Sequence, residues 1–248
     1  MNLFKTVHLF PSFPGVIAAE STRNGGVSQA PYASLNLGLS TDDDEKAVLE
    51  NRRLFFQSLG IASGQVASAY QVHGCDVKQV ETPGRWEGFD ALITKRKGIY
   101  LTVTVADCTP ILIYDPKNQA VAAIHAGWRG TALRIVHQTF SKMKEAFDTN
   151  PADCWAYIGT CIDECSYEVD ADVADHFPNP YTRWDEGREK FFLDLKKANQ
   201  AQLLALGLHP AHIEISPYST VLNNEYYFSY RKEKGQTGRM LNLIGLKP

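Results

Sequence analysis

YLTVTVADCTPILIYDPKNQAVAAIHAGWRG, residues 100–130, carries three short apolar runs at 100–105, 111–114 and 120–124, rich in Val and Ile and separated by polar turns. Runs of that length bounded by turn residues predict strands, and with the similar pattern from 65 to 125 they predict a central sheet. Gly127-Trp128-Arg129-Gly130 follows the third run. Over 131–147 apolar residues then recur at helical spacing, with Leu133, Val136, Phe140 and Met143 on one side. Downstream the pattern predicts a strand at 154–158, a helix at 194–206 and a strand at 212–215. Upstream, Asp42, Asp43 and Asp44 place acids before an amphipathic stretch at 45–59 that stops at Gly60, which reads as a helix. Residues 15–30 read as a hairpin, because Val16, Ala18 and Glu20 lead into a turn at Asn24-Gly25-Gly26. With no internal repeat, low-complexity segment or Pro/Ser linker, the expectation is one domain over 1–248, of α/β or α+β class with mixed or antiparallel pairing.

The composition, 44% hydrophobic and 21% charged, is that of an ordinary globular protein. A formal net charge of −3, with no basic run longer than Lys95-Arg96-Lys97, argues against nucleic acid as a partner. No apolar run is long enough to span a bilayer, and Lys5 followed by Pro11 and Pro14 does not make a secretory signal. Five cysteines, an odd number without an export signal, predict reduced thiols in a cytoplasmic protein. Nothing in the sequence specifies an oligomeric state.

Three metal-capable side chains stand at the ends of apolar runs: His73 in Gln71-Val72-His73-Gly74, Cys108 in Ala106-Asp107-Cys108, and His125 in His125-Ala126-Gly127-Trp128. Two imidazoles and a thiolate suit zinc and can also hold copper, and three protein ligands leave a fourth position open. Two other readings use the same residues. The histidines could be satisfied core residues and Cys108 a small buried hydrophobe. Alternatively, Cys108 could be a thiolate nucleophile activated by His125, with Asp107 or another polar group orienting the base. Cys161 and Cys165 lack the spacing and the second pair of a zinc knuckle and read as structural thiols. Arg129, beside Trp128 and ahead of the predicted helix at 131, could face an anion together with free helix N–H groups. Tyr227-Phe228-Ser229-Tyr230-Arg231 and Gly238-Arg239 offer aromatic faces and cations that could stack on a heterocycle or close the core.

These residues also resemble a family, the laccase-domain proteins, described as multicopper polyphenol oxidases, purine nucleoside phosphorylases or peptidoglycan editing factors. The resemblance spans nearly the whole chain. It rests on Ser34-Leu35-Asn36-Leu37-Gly38, Asn51-Arg52, Gln71-Val72-His73-Gly74, Asp90-Ala91-Leu92, Ala106-Asp107-Cys108 with Pro110, His125-Ala126-Gly127-Trp128-Arg129-Gly130, Tyr167-Glu168-Val169 and Phe228-Ser229-Tyr230-Arg231. Thr160 departs from it, standing where the family often has Pro, and 217–220 replaces a segment that often contains Cys.

The resemblance implies an α+β fold, a single-domain layered sandwich of mixed, largely antiparallel sheets flanked by helices, with zinc on His73, Cys108 and His125. It further implies phosphorolysis of adenosine, inosine, guanosine and methylthioadenosine to base and ribose 1-phosphate, with adenosine deamination as a second activity. Phosphorolysis needs a cationic clamp for the attacking phosphate, for which Arg52 and Arg129 are the candidates. Asn36, Asp107, Ser229 and Arg231 complete the expected substrate-binding set. Deamination would use water activated by the metal, although the His-x-Glu and Pro-Cys-x-x-Cys segments of known zinc deaminases are absent here. The alternatives are a Cys–His hydrolase acting on peptidoglycan precursors and a copper-dependent polyphenol oxidase. The latter ranks last, because several coppers need more ligands than seven scattered histidines readily supply.

Overall fold

The structure, a computed structural model, describes residues 3–248. Met1 and Asn2, which the expected domain of 1–248 includes, lie outside the described residues. In chain order the strands are β1 (Phe4–Thr6), β2 (Val16–Ser21), β3 (Val66–Tyr70), β4 (Val77–Gln79), β5 (Gly84–Glu87), β6 (Ala91–Thr94), β7 (Tyr100–Val105), β8 (Thr109–Asp115), β9 (Ala120–Ala126), β10 (Trp155–Ile158), β11 (Glu168–Val169), β12 (Thr182–Asp185), β13 (Lys190–Leu193), β14 (Ile213–Ile215) and β15 (Met240–Leu246). The helices are α1 (Glu45–Ser58), α2 (Trp128–Ala132), α3 (Ile135–Phe147), α4 (Ala171–Ala174) and α5 (Leu195–Ala205).

Every residue of β8 and β9 is buried, because both faces of these strands are covered. Ile111, Ile113, Ala122 and Ile124 pack against Ile135, Val136 and Phe140 of α3, with Leu203 of α5 alongside. The alternate residues Leu112, Val121 and Ala123 meet Leu101, Val103 and Ile244 of another sheet. That sheet buries its far face, through Tyr100, Leu241 and Leu243, against Phe55 and Phe56 of α1. The layers therefore run helix, sheet, sheet, helix, and a small third sheet of β11, β13 and β12 carries its own cluster around Phe177 and Leu193.

The two large sheets run in the orders β1-β2-β15-β7-β3-β5 and β14-β10-β8-β9-β6-β4. Antiparallel pairs build the middle of each, and parallel pairs lie toward the edges. The strands between 65 and 125 are thus divided between two sheets instead of forming one central sheet. β3, β5 and β7 fall in the first, and β4, β6, β8 and β9 in the second. This layered α+β sandwich of mixed sheets has the class that the resemblance implied.

Two local expectations change. The hairpin at 15–30 does not form: β2 pairs with β1 and β15, and the Asn24-Gly25-Gly26 stretch docks on α1. There Gly26 N–H donates to Ser34 Oγ and Val27 N–H to Asn51 Oδ1, so these backbone groups are satisfied by side chains and need no strand partner. The predicted helix at 131–147 starts earlier, at Trp128, and is interrupted before Ile135, where Arg134 sits at φ 60°. The helix predicted at 45–59 forms as α1, capped by the Asp44 carboxylate on Lys46 N–H and ended at Gly60 with φ 71°. Among the described residues no helix is long and apolar enough to cross a membrane.

Gly245 of β15 lies opposite Tyr100, and a Cβ there would stand 2.4 Å from the Tyr100 ring and 2.6 Å from the Ile99 carbonyl oxygen. Backbone cannot retreat as a flexible side chain can. Gly245→Ala is expected to destabilise the fold by about 1–3 kcal/mol, read as a lower urea midpoint at unchanged slope. A midpoint equal to wild type would show that the two strands tolerate the methyl group.

Candidate metal centre

β7 belongs to the first sheet and β8 to the second, so Ala106, Asp107 and Cys108 form the corner where the chain crosses between them. Asp107 turns that corner at φ 88°, a conformation rarely adopted by residues other than glycine. His125, near the end of β9, pairs with Pro110 and is thereby held beside the start of β8. His73 comes from the loop after β3 and has φ 61°. Gln71 anchors that loop to β7, donating from Nε2 to the Thr104 carbonyl at 2.8 Å and accepting Thr104 N–H at 2.8 Å.

The outcome is one cluster. The donor atoms of His73, Cys108 and His125 lie within 4.8 Å of one another, and the two imidazoles meet edge to face with centroids 4.8 Å apart. A Cβ on Gly127 would come within 3.1 Å of both Cys108 Sγ and His73 Cδ2, so the backbone here closes tightly over the cluster. His125 is buried, Cys108 partly buried and His73 exposed, which leaves the cluster open toward solvent on the His73 side.

Behind the cluster stands Asp90, a residue to which the sequence reading gave no role. Its carboxylate accepts Val72 N–H (3.2 Å), His73 N–H (3.0 Å), Gly74 N–H (2.7 Å) and His125 Nδ1–H (2.7 Å). A carboxylate can only accept, so His125 holds a proton on Nδ1, and Nε2 is the nitrogen that would bind a metal once it gives up its own proton. Asp90, not Asp107, orients the imidazole. The signals available in the sequence were its place in the Asp90-Ala91-Leu92 motif and an acid opening an apolar run between the two histidines.

Burial pushes the Cys108 thiol up, but the positive charge of His125, together with hydrogen bonds from both imidazoles, outweighs it and brings the thiol down to about 6. Burial pulls His125 down, yet the Cys108 thiolate and the Asp90 carboxylate raise it to about 9. Burial also works to raise Asp90, whose carboxyl nevertheless falls below the usual range through its bonds to His125, Gly74 and Val72. At neutral pH the trio is a carboxylate, an imidazolium and a thiolate in a row. Two imidazoles and a thiolate so placed fit a borderline metal ion.

The cluster forms part of the wall of a cavity of about 580 Å³. Of the other expected residues, Arg52, Asp107, Arg129 and Arg231 line it, whereas Asn36 and Ser229 do not. Asn36 is fully buried, donating to Thr41 and Asp43 and accepting Gly38 N–H and Arg239 N–H. Ser229 is likewise buried and accepts Lys232 N–H on its hydroxyl. Asp107 accepts Thr220 Oγ1–H at 2.5 Å and Arg231 N–H at 2.7 Å, and burial raises its carboxyl. Arg129 is exposed, stacks over Trp128 at 4.3 Å and belongs to the first turn of the five-residue α2. A helix so short offers little dipole, so the expected helix-terminus contribution to anion binding at Arg129 is lost. Tyr227 and Phe228 close a core cluster with Val105 and Met240, while Tyr230 and Arg239 face the cavity. Arg85 also lines it and was not anticipated; no local pattern marks it.

A family model described as "Multi-copper polyphenol oxidoreductase laccase" matches residues 17–247. Among curated relatives, a purine nucleoside phosphorylase of Deinococcus radiodurans is 40% identical over 230 residues, covering 92% of this chain and 88% of that one. The purine nucleoside phosphorylase YlmD of Geobacillus stearothermophilus is 36% identical over 253 residues, covering 95% and 92%. The crystal structure of YlmD from Geobacillus stearothermophilus superposes with a TM-score of 0.92 at 34% identity over all of both chains.

Two outcomes follow from this geometry. Asp90→Asn removes the charge that fixes the His125 tautomer, and metal affinity, measured by competition with a chromophoric chelator, should fall roughly 10- to 100-fold; wild-type affinity in the variant would remove Asp90 from the site. In metal-free protein, peptide-resolved alkylation of Cys108 by iodoacetamide should rise with pH through a midpoint of about 6. A midpoint above about 8, that of an ordinary thiol, would contradict the thiolate–imidazolium pair.

Proposed function

The chain belongs to the multi-copper polyphenol oxidoreductase laccase family, and from that membership and its cavity we propose that it is a zinc-dependent purine nucleoside phosphorylase. The observation that carries this reading is a nucleoside-sized cavity whose wall combines a His-Cys-His donor cluster with arginines and aromatic rings. The substrates proposed are adenosine, inosine, guanosine and methylthioadenosine, cleaved with phosphate to free base and ribose 1-phosphate in the cytoplasm.

His73, Cys108 and His125 are the residues that would hold zinc, with copper as the softer alternative. When bound, the metal supplies Lewis-acid polarisation. The remaining work falls to the protein's own groups. Arg52 and Arg129 hold the phosphate so that one of its oxygens bonds to the anomeric carbon as the carbon–nitrogen bond breaks, and the electron pair leaves on the purine with a proton. Trp128, Tyr167 and Tyr230 offer rings for the base. Arg231 and Asp107 position substrate on the same wall, and Asn36 and Ser229 act from behind by fixing the segments that carry Arg239 and Arg231. Adenosine deamination is a second proposed activity of the same donors.

One observation favours a second reading, a hydrolase. In space Asp90, His125 and Cys108 stand in the order of orienting acid, base and nucleophile, with Asp90 Oδ1 2.7 Å from His125 Nδ1 and the thiol already lowered by His125. Dependence on phosphate separates the two.

With adenosine as substrate, adenine and ribose 1-phosphate should appear at a rate that saturates with phosphate. Arg129→Ala should raise the half-saturating phosphate concentration, with only partial rescue by Arg129→Lys, which lacks the planar fork. Cys108→Ala should abolish turnover while circular dichroism stays unchanged. Base release indifferent to phosphate would make water the nucleophile and favour the hydrolase.

A further inference from the structure

Ten of the eleven arginines fall into two groups, and the eleventh, Arg134, sits against the His137 ring. Arg23, Arg53, Arg96, Arg183 and Arg188 each form an ion pair with a carboxylate. Arg52, Arg85, Arg129, Arg231 and Arg239 line the cavity, and none of these forms an ion pair among the described residues. Three of the unpaired cations gather around the loop at 37–40. Arg52 of α1 is 8% exposed, donates from Nη1 to the Leu37 carbonyl at 2.9 Å and lies over the Phe56 ring. Arg85 of β5 donates from Nη2 to Ser40 Oγ at 2.8 Å. Arg239, just before β15, donates to the Thr237 and Gly238 carbonyls and packs its stem on Gly38, where a Cβ would meet Cγ at 2.6 Å.

A buried guanidinium without a counter-ion is costly, and a like charge nearby adds to the cost. Burial, together with the charge of Arg85, already lowers Arg52 to about 10. Carbonyl and hydroxyl acceptors occupy a minority of the N–H groups on these three side chains, so most of the forks remain free to bind a ligand. A planar carboxylate matches one fork. Three forks from three separate elements match a tetrahedral dianion, whose oxygens can each take a donor from a different direction.

We propose that Arg52, Arg85 and Arg239, with Ser40, form a subsite for a phosphate dianion, either inorganic phosphate or the 5′-phosphate of a nucleotide. The first source rests on the phosphorylase reading and completes the clamp assigned to Arg52 there. The second would extend the substrates from nucleosides to nucleotides.

The test is direct binding, separate from turnover. Broadening of the phosphorus resonance of inorganic phosphate is titrated with the full chain, then repeated in competition with adenosine 5′-monophosphate and with adenosine. Arg85→Gln and Arg239→Gln should each weaken phosphate binding by about tenfold or more, a loss of about 1.4 kcal/mol per decade. Arg85→Lys should recover part of it, and Arg183→Gln, altered on the outer surface, should bind like wild type. Displacement of phosphate by the monophosphate and not by adenosine supports the subsite with a nucleotide source; phosphate binding untouched by either supports it with the inorganic source. Because Arg52→Gln removes a buried group and can unfold the protein, Arg85 and Arg239 are the decisive positions. Phosphate affinity within twofold of wild type in both variants, or no binding of either phosphate by wild type, overturns the proposal. Phosphate bound as expected by a protein that cleaves no nucleoside would sink the phosphorylase reading and leave the subsite standing.

Discussion

Four donors meet on the carboxylate of Asp90: three consecutive backbone N–H groups of the loop at 72–74 and the ring nitrogen of His125. The backbone of the same residue also accepts His125 N–H at 2.7 Å and donates to the Asp76 carbonyl. Hydrogen bonds to a charged acceptor contribute about 1.5–3 kcal/mol each, and breaking such a buried set leaves its donors without water. The left-handed backbone at His73 and the orientation of His125 are therefore one constraint. Neither donor can move without loosening the other, and the loop involved joins strands of two different sheets.

The site owes its position to the way those sheets are stitched together. The chain leaves the first sheet after Val105 and enters the second at Thr109, and a corner of three residues leaves Cys108 at the seam. Where the sheets part, the inter-sheet core ends and polar groups can face a cavity. The protein loads this seam with opposite charges kept apart: a thiolate and Asp90 with the imidazoles, and along the same wall arginines that have no carboxylate partner among the described residues. A charge arrangement left uncompensated in this way favours ligands that carry the missing charge.

Much of this was legible locally. The run at 100–105 corresponds to β7 without change, and the Asp44 cap and Gly60 bound α1 as their chemistry requires. His73, Cys108 and His125 stood out because polar residues end apolar runs. What was not legible depends on distant partners. A strand buried on both faces reads as apolar throughout and says nothing about which sheet it joins, so one expected sheet became two. The polar stretch after Ser21 looked like a turn because its contacts to Asn51 and Ser34 are invisible in the local pattern. Asp90 stood in a motif of the resemblance, but its local pattern, an acid before a strand, gave it no role, and Arg85 looked like any surface cation on an edge strand.

β15 lies in the middle of the first sheet, with Asn242 opposite both Glu20 and Val103. Leu241 N–H reaches Ser21 Oγ across 220 residues of chain. Such pairing gives the fold a high contact order, and loop-closure entropy must be met before these contacts return any stabilisation, which slows folding. Until β15 inserts, β2 and β7 are both unpaired edges with apolar faces, the condition under which strands add to foreign chains and aggregate. The same insertion brings Arg239 to the cavity, so the anion-binding wall is assembled only in the step that closes the sheet. Chains that have not completed their fold lack that wall, and ligand binding reports on finished molecules alone.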